Sequence, residues 1–192
     1  MREDRLTGSL PVHPDASATI RQAASATDFA LARALIQEYA DSLNVDLCFQ
    51  DFAGELAGLP GAYAPPHGRL LLAGTPGAAF GCIALRPLTS GIDPPVGEIK
   101  RLYVQPAQRA GGWGRRLVEA LLADAVAIGY RELKLDTLAR LTAARALYAQ
   151  LGFRECAAYY VNPLPEVVYM SLTLPARVRE SGGLPRATPQ CS

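Results

Sequence analysis

EIKRLYVQPAQRAGGWGRRL, the stretch from Glu98 to Leu117, decides how this chain is read. Ile99, Leu102, Tyr103 and Val104 form an apolar, β-prone run that passes through Pro106 into Arg109-Ala-Gly-Gly-Trp-Gly114. An amphipathic helical pattern begins there. Strand, glycine-rich turn and helix start follow one another without interruption. The first turn of a helix has N–H groups without intrahelical partners and carries the positive end of the dipole, which suits an anion. Glycines let the backbone approach a phosphate and adopt positive φ. Arg115 and Arg116 add positive charge at the same end. The segment therefore predicts a phosphate or pyrophosphate site.

Two common phosphate patterns do not fit. A P-loop needs Lys and then Ser or Thr after its last glycine, and Gly114 is followed by Arg115, Arg116 and Leu117. The dinucleotide fingerprint needs a third glycine where Leu117 stands, and without it an acidic residue near Glu132 or Asp136 carries little weight.

Outward from this segment, the pattern supplies the rest of one domain. On its N-terminal side, Ala18 to Gln22 reads as a strand, and Ser25 to Asp28 as a capping-box start. Phe29, Leu31, Leu35, Ile36 and Tyr39 then recur at helical spacing, to about Leu43. Phe49 to Leu59 reads as a second helix, stopped by Pro60-Gly61. Arg69 to Ala73 and Ala79 to Leu85 read as a hairpin around Gly74 to Gly77, and Val96 to Val104 as the next strand. Proline-rich loops are expected at Tyr63 to Gly68 and Thr89 to Pro95. On the C-terminal side, Gly112 to Ile128 is a helix ended by Gly129, and Leu141 to Leu151 is another ended by Gly152. Arg131 to Asp136 alternates as a strand, with Lys134 and Asp136 on one side. Phe153 to Tyr159 and Val167 to Leu174 read as the last two strands. The order β-α-α-β-β-β-α-β-α-β-β predicts an α/β (α+β) fold: a mixed central sheet of about seven strands with helices on both faces. Residues 1–16 and 175–192 read as flexible tails around a domain at 17–174.

Composition narrows the function. A chain of 192 residues with 49% hydrophobic and 19% charged residues is an ordinary globular domain. A net charge of +1 gives no case for nucleic acid or an anionic membrane. No apolar run reaches the length of about 18 residues that a membrane span needs. The N-terminus lacks an apolar signal core, so a cytoplasmic location is expected. Cys48, Cys82, Cys156 and Cys191 show no C-x-x-C spacing and read as reduced thiols, and no metal site is expected. His13 and His67, both beside prolines, leave little for a histidine triad.

At this point the residues resemble a family. Val104-x-Pro106-x-x-Arg109-x-x-Gly112-x-Gly114 is similar to the acyl-CoA motif R/Q-x-x-G-x-G/A of the GNAT superfamily of N-acetyltransferases. A second hallmark, Ala144-x-x-x-Tyr148-x-x-x-Gly152-Phe153, stands at the right distance downstream. The element order agrees with the GNAT fold, and the resemblance covers roughly residues 18 to 174. Two departures stand out. Ala110 replaces the usual glycine after the arginine, and Leu141 stands where relatives often carry an asparagine that touches the cofactor.

The resemblance implies an enzyme that transfers an acetyl group from acetyl-CoA to a primary amine in a ternary complex, without a metal. Backbone N–H groups of Arg109, Ala110, Gly111, Gly112, Trp113 and Gly114, followed by Arg115, would cradle the pyrophosphate. Leu102, Tyr103 and Val104 would hydrogen-bond the pantetheine arm and polarise the thioester carbonyl. Tyr148 would protonate the departing thiolate and Glu98 would take a proton from the amine, directly or through water. Asp46 and Gln50 near the second helix, Arg101 for an acidic substrate, and Tyr160 and Asn162 near the last connection would border the acceptor. A homodimer is the state that many relatives adopt.

Plainer readings compete with these roles. The turn could be an ordinary strand-to-helix junction. Tyr148 could be a core aromatic beside Leu147 and Leu151, and Glu98 a surface carboxylate paired to Lys100 or Arg101. A non-catalytic CoA-binding sensor would be free to lose Glu98 and Tyr148, and both are present. A protein N-acetyltransferase would need an open cleft, whereas the proline-rich loops at Tyr63 to His67 and Asn162 to Pro165 predict covered edges and a small-molecule acceptor.

Overall fold

The computed structural model of the chain describes residues 17–44, 51–88 and 95–176. Their order is β1 (Thr19–Gln22), α1 (Ala26–Leu43), α2 (Phe52–Ala57), β2 (Arg69–Thr75), β3 (Ala78–Pro87), β4 (Val96–Val104), α3 (Trp113–Ile128), β5 (Glu132–Leu138), α4 (Thr142–Gln150), β6 (Arg154–Glu155) and β7 (Val167–Thr173). Single 3-10 turns cover Gly61–Tyr63 and Pro106–Gly111. All seven strands join one sheet in the order β1-β2-β3-β4-β5-β7-β6. The β4–β5 pair is parallel and every other pair antiparallel. The expected order and mixed sheet are therefore the observed ones.

The apolar runs of β2 and β3 are long because both sheet faces are covered. Leu70, Leu72, Cys82 and Ala84 pack under α1 with Ala32, Leu35 and Ile36. Their neighbours Leu71, Ala73, Ile83 and Leu85 point the other way, into a core with Leu117, Val118, Leu121 and Ala125 of α3. The α1 start is the capping box foreseen at Ser25: its Oγ accepts the Asp28 N–H at 3.1 Å, and the Asp28 carboxylate accepts the Ser25 N–H at 3.3 Å. No helix among the described residues is long and apolar enough to cross a membrane.

Two elements are shorter than expected. The second helix spans Phe52–Ala57 within the predicted 49–59. The strand predicted over Phe153 to Tyr159 ends at Glu155. Cys156 still donates its N–H to the Tyr169 carbonyl at 2.9 Å. Beyond it the chain leaves the sheet and carries Tyr159 across to Glu98, which it bonds at 2.9 Å. Residues 1–16 and most of the C-terminal tail, with the loop 89–94, lie outside the described residues.

Candidate active site

The parallel pair β4–β5 comes apart. Val96, Gly97 and Glu98 face Glu132, Leu133 and Lys134, and the pairing then stops, although both strands continue. β5 stays paired with β7 along its whole length, from Glu132 to Leu138, so β4 is the strand that departs. The cause lies in its other neighbour. Cys82 faces Tyr103 while Ala84 faces Lys100, so β4 holds one residue more than β3 across this interval. The extra residue is a bulge at Arg101, which has φ +58°. A bulge bends and twists its strand. It also resets the alternation: Glu98 and Lys100 share the α1 face, and so does Tyr103 beyond the bulge, while Ile99, Leu102 and Val104 face α3.

The splay leaves a cleft of about 520 Å³. Leu102, Tyr103, Val104, Arg109 and Gly114 form one side, and Thr137, Leu138, Leu141, Ala144, Leu147 and Tyr148 the other. Tyr39, Lys100, Arg101 and Asp136 also line it. Gln105 donates its N–H to Phe80 of β3 at 2.8 Å. Alternation along the strand therefore aims the backbone groups of Leu102 and Val104 at the gap. Arg109 Nε donates to the Val104 carbonyl from that side at 3.0 Å, and its guanidinium lies 5.8 Å from the Tyr103 ring.

The turn has the form an anion site needs. Gly112 takes φ +71°, and a Cβ there would meet nothing within 4 Å, so the approach is open. α3 starts at Trp113, and its first intrahelical bond comes from the Arg116 N–H to the Gly112 carbonyl. The N–H groups of Trp113, Gly114 and Arg115 are thus spare within the helix. The Trp113 side chain is structural: it is buried edge-on to Phe80, with ring centroids 5.1 Å apart. Arg115 reaches Glu119 at 3.4 Å and Gln150 at 2.5 Å. Open backbone beside an unfilled gap suits the phosphates and extended arm of a CoA thioester.

Tyr148 lines the cleft from α4 with 5% of its surface exposed, and its ring meets Phe153 edge-on at 5.4 Å. Burial pushes its phenol well above the ordinary value, and the nearby Tyr39 and Asp136 add to that. The hydroxyl therefore keeps its proton throughout the neutral range.

Glu98 does not line the cleft. Its side chain is 1% exposed, with Arg86 Nε on Oε2 at 2.7 Å and the Tyr159 hydroxyl on Oε1 at 2.9 Å. Arg101 is held by Glu55 through bonds of 2.8 and 2.6 Å and lies 5.1 Å from the Phe52 ring. Tyr160 and Asn162 stand together: Asn162 Nδ2 donates to the Tyr160 hydroxyl at 2.8 Å and faces Asp136 Oδ2 at 3.4 Å. Asp46 and Gln50 lie outside the described residues. Cys82 is sealed in the core, where burial pushes its thiol up to about 12. Two cleft groups escape a reading of motifs, Asp136 and Lys100, which pair at 2.9 Å. Asp136 carries a usable signal, since it sits at the C-terminal end of a parallel strand, where α/β sheets bind ligands.

Comparison with known proteins shows the family and the fold. The acetyltransferase (GNAT) family model matches residues 30–153. An uncharacterized N-acetyltransferase of Schizosaccharomyces pombe is 41% identical, over 73% of this chain and 85% of its own. A putative acyl-CoA N-acyltransferase structure from Klebsiella pneumoniae superposes with a TM-score of 0.57 at 29% identity, covering 82% of this chain and 96% of that one. An acetyltransferase of Streptococcus agalactiae, 18% identical, shares the fold with a TM-score of 0.66 over 83% of this chain and 99% of its own. The chain belongs to the GNAT acetyltransferase family, and it is an N-acetyltransferase that takes its acetyl group from acetyl-CoA.

Proposed function

We propose that this enzyme acetylates a primary amine of a small-molecule acceptor by direct transfer within a ternary complex. The observation that carries the reading is the cleft itself, where the open turn, the spare edge of β4 and Tyr148 converge. Its volume of about 520 Å³ lies in the range of small-ligand sites. Backbone groups of Arg109 through Gly114, with Arg115, hold the pyrophosphate, and Leu102 to Val104 align the pantetheine arm. Attack by the amine nitrogen on the thioester carbon forms the amide bond. The C–S bond then breaks, and Tyr148 gives its proton to the sulfur. No described cysteine lines the cleft, which favours direct transfer over an acyl-enzyme. Of the groups that touch Glu98, Lys100 at 3.6 Å lines the cleft, so its part in proton transfer is indirect.

The test is release of free CoA thiol from acetyl-CoA across a panel of amines, with an acceptor-free control. Acceptor-dependent release supports the reading. Tight acetyl-CoA binding without release on any amine would instead make the protein a sensor.

A further inference from the structure

Two carboxylates flank the Lys100 ammonium, and their settings differ. Glu98 lies 3.6 Å away, buried, with one oxygen on the guanidinium of Arg86. Asp136 lies 2.9 Å away, on the cleft wall, beyond the point where β4 and β5 part. Asn162 Nδ2 bridges Asp136 Oδ2 at 3.4 Å and the Tyr160 hydroxyl at 2.8 Å, and the Tyr160 ring centroid lies 6.0 Å from the Lys100 nitrogen. An ammonium beside a carboxylate and an aromatic ring is the setting that suits a protonated amine. Here the protein's own lysine occupies it.

We propose that Asp136 binds the acceptor's ammonium and takes its proton, while Lys100 transfers its pairing to Glu98. This rests on the acetyl-transfer reading above. Arg86 is always charged and pairs with Glu98 Oε2, while Glu98 Oε1 stands 3.6 Å from Lys100 and offers the displaced lysine a second carboxylate partner. Among the described residues, no arginine is bonded to Asp136. The arriving ammonium takes the place that Lys100 leaves beside Asp136, which sets the amine proton within reach of the carboxylate. The protons balance. The ammonium gives one to Asp136, which later releases it to solvent. The nitrogen loses a second as the N–C bond forms. The thiolate takes the Tyr148 proton as the C–S bond breaks, and the second nitrogen proton restores the phenol. The net release is one proton per turnover.

Other groups facing Asp136 are Tyr39 of α1, Tyr148 of α4, Tyr169 of β7, and Tyr159 and Asn162 of the crossing segment. Arg101 and Arg140 line the same cleft. The tyrosines are neutral near pH 7.

The test compares Asp136→Asn, Glu98→Gln and wild type, using the best amine from putrescine, phenethylamine, lysine and a glycyl peptide. For Asp136→Asn, kcat/KM for the amine should fall by about 10²-fold or more at about pH 7.5, with acetyl-CoA binding held within about twofold. Its rate should climb with pH toward the amine's own pKa, whereas Glu98→Gln should keep the wild-type pH dependence at a lower rate. Wild-type turnover by Asp136→Asn, or a pH dependence that changes in Glu98→Gln and not in Asp136→Asn, overturns the assignment. Should Asp136→Asn fail to bind acetyl-CoA, Asp136→Glu and Asp136→Ser decide: recovery with Glu but not Ser supports it, and equal turnover overturns it. If wild type releases no thiol with any amine, the acetyl-transfer reading fails first, which separates the two failures.

Discussion

Glu55→Gln tests the Arg101 bulge that opens the cleft. Glu55 and Arg101 are buried, with side chains 14% and 4% exposed, and they share two bonds of 2.8 and 2.6 Å. The Tyr63 hydroxyl donates to the same carboxylate at 2.9 Å. Glutamine keeps one acceptor oxygen and turns the other position into a donor that faces a guanidinium N–H. Arg101 cannot shed its proton. Removing one partner of a buried pair costs about 3–5 kcal/mol, against a total stability of about 5–15 kcal/mol for a typical domain. At roughly 2–4 °C per kcal/mol for a chain of this size, the melting temperature should fall by roughly 6–20 °C. The assay is thermal and urea unfolding followed by circular dichroism. The double variant Glu55→Met with Arg101→Met should recover much of the loss, because it leaves no unpaired charge. The sign with pH is fixed as well. Burial alone would raise the Glu55 carboxyl, but the hydrogen bond and charge of Arg101 and the bond from Tyr63 outweigh it, so the folded value lies below the ordinary one. That contribution is complete above the unfolded glutamate value near ~4.3 and is lost as pH falls through the folded value. The gap between wild type and variant should therefore be full at neutral pH and close in acid. A melting point within about 2 °C of wild type at neutral pH would refute the claim that this pair holds the bulge.

Tyr148→Phe should lower turnover on a good amine by about 10²-fold while acetyl-CoA affinity stays nearly unchanged, and steady-state kinetics with calorimetric binding would check both. Gly112→Asp places a Cβ at φ +71° and a negative charge over the helix start, so titration calorimetry should find acetyl-CoA binding abolished. Ser25→Ala removes the α1 cap far from the cleft and should cost about 1 kcal/mol in urea unfolding with kcat unchanged.

Much of the candidate site's framework was legible because its elements are local. Gly112 and Gly114 mark the turn by residue type alone, and Tyr148 follows at a spacing that the α4 helix explains. The bulge at Arg101 was not, because Val96 to Val104 reads as one apolar run whether or not a residue is extra. The setting of Glu98 depended on Arg86 across the strand pair and on Tyr159, which lies 61 positions away in sequence. Asp136 and Lys100 come together from strands 36 residues apart, and no local pattern encodes that approach.

The sequence by itself determined the order of elements, the two-sided sheet and the glycine-rich turn before α3. These follow from periodicity, caps and glycine conformation, all of which act over a few residues. Only the tertiary structure decided which way the charged groups face. One added residue in β4, measured against β3, reverses the alternation beyond it and parts β4 from β5. The same fold buries Glu98 against Arg86 and leaves Asp136 on the wall of the cleft. Register between strands is set by packing of both faces at once, so no single stretch of chain could announce it.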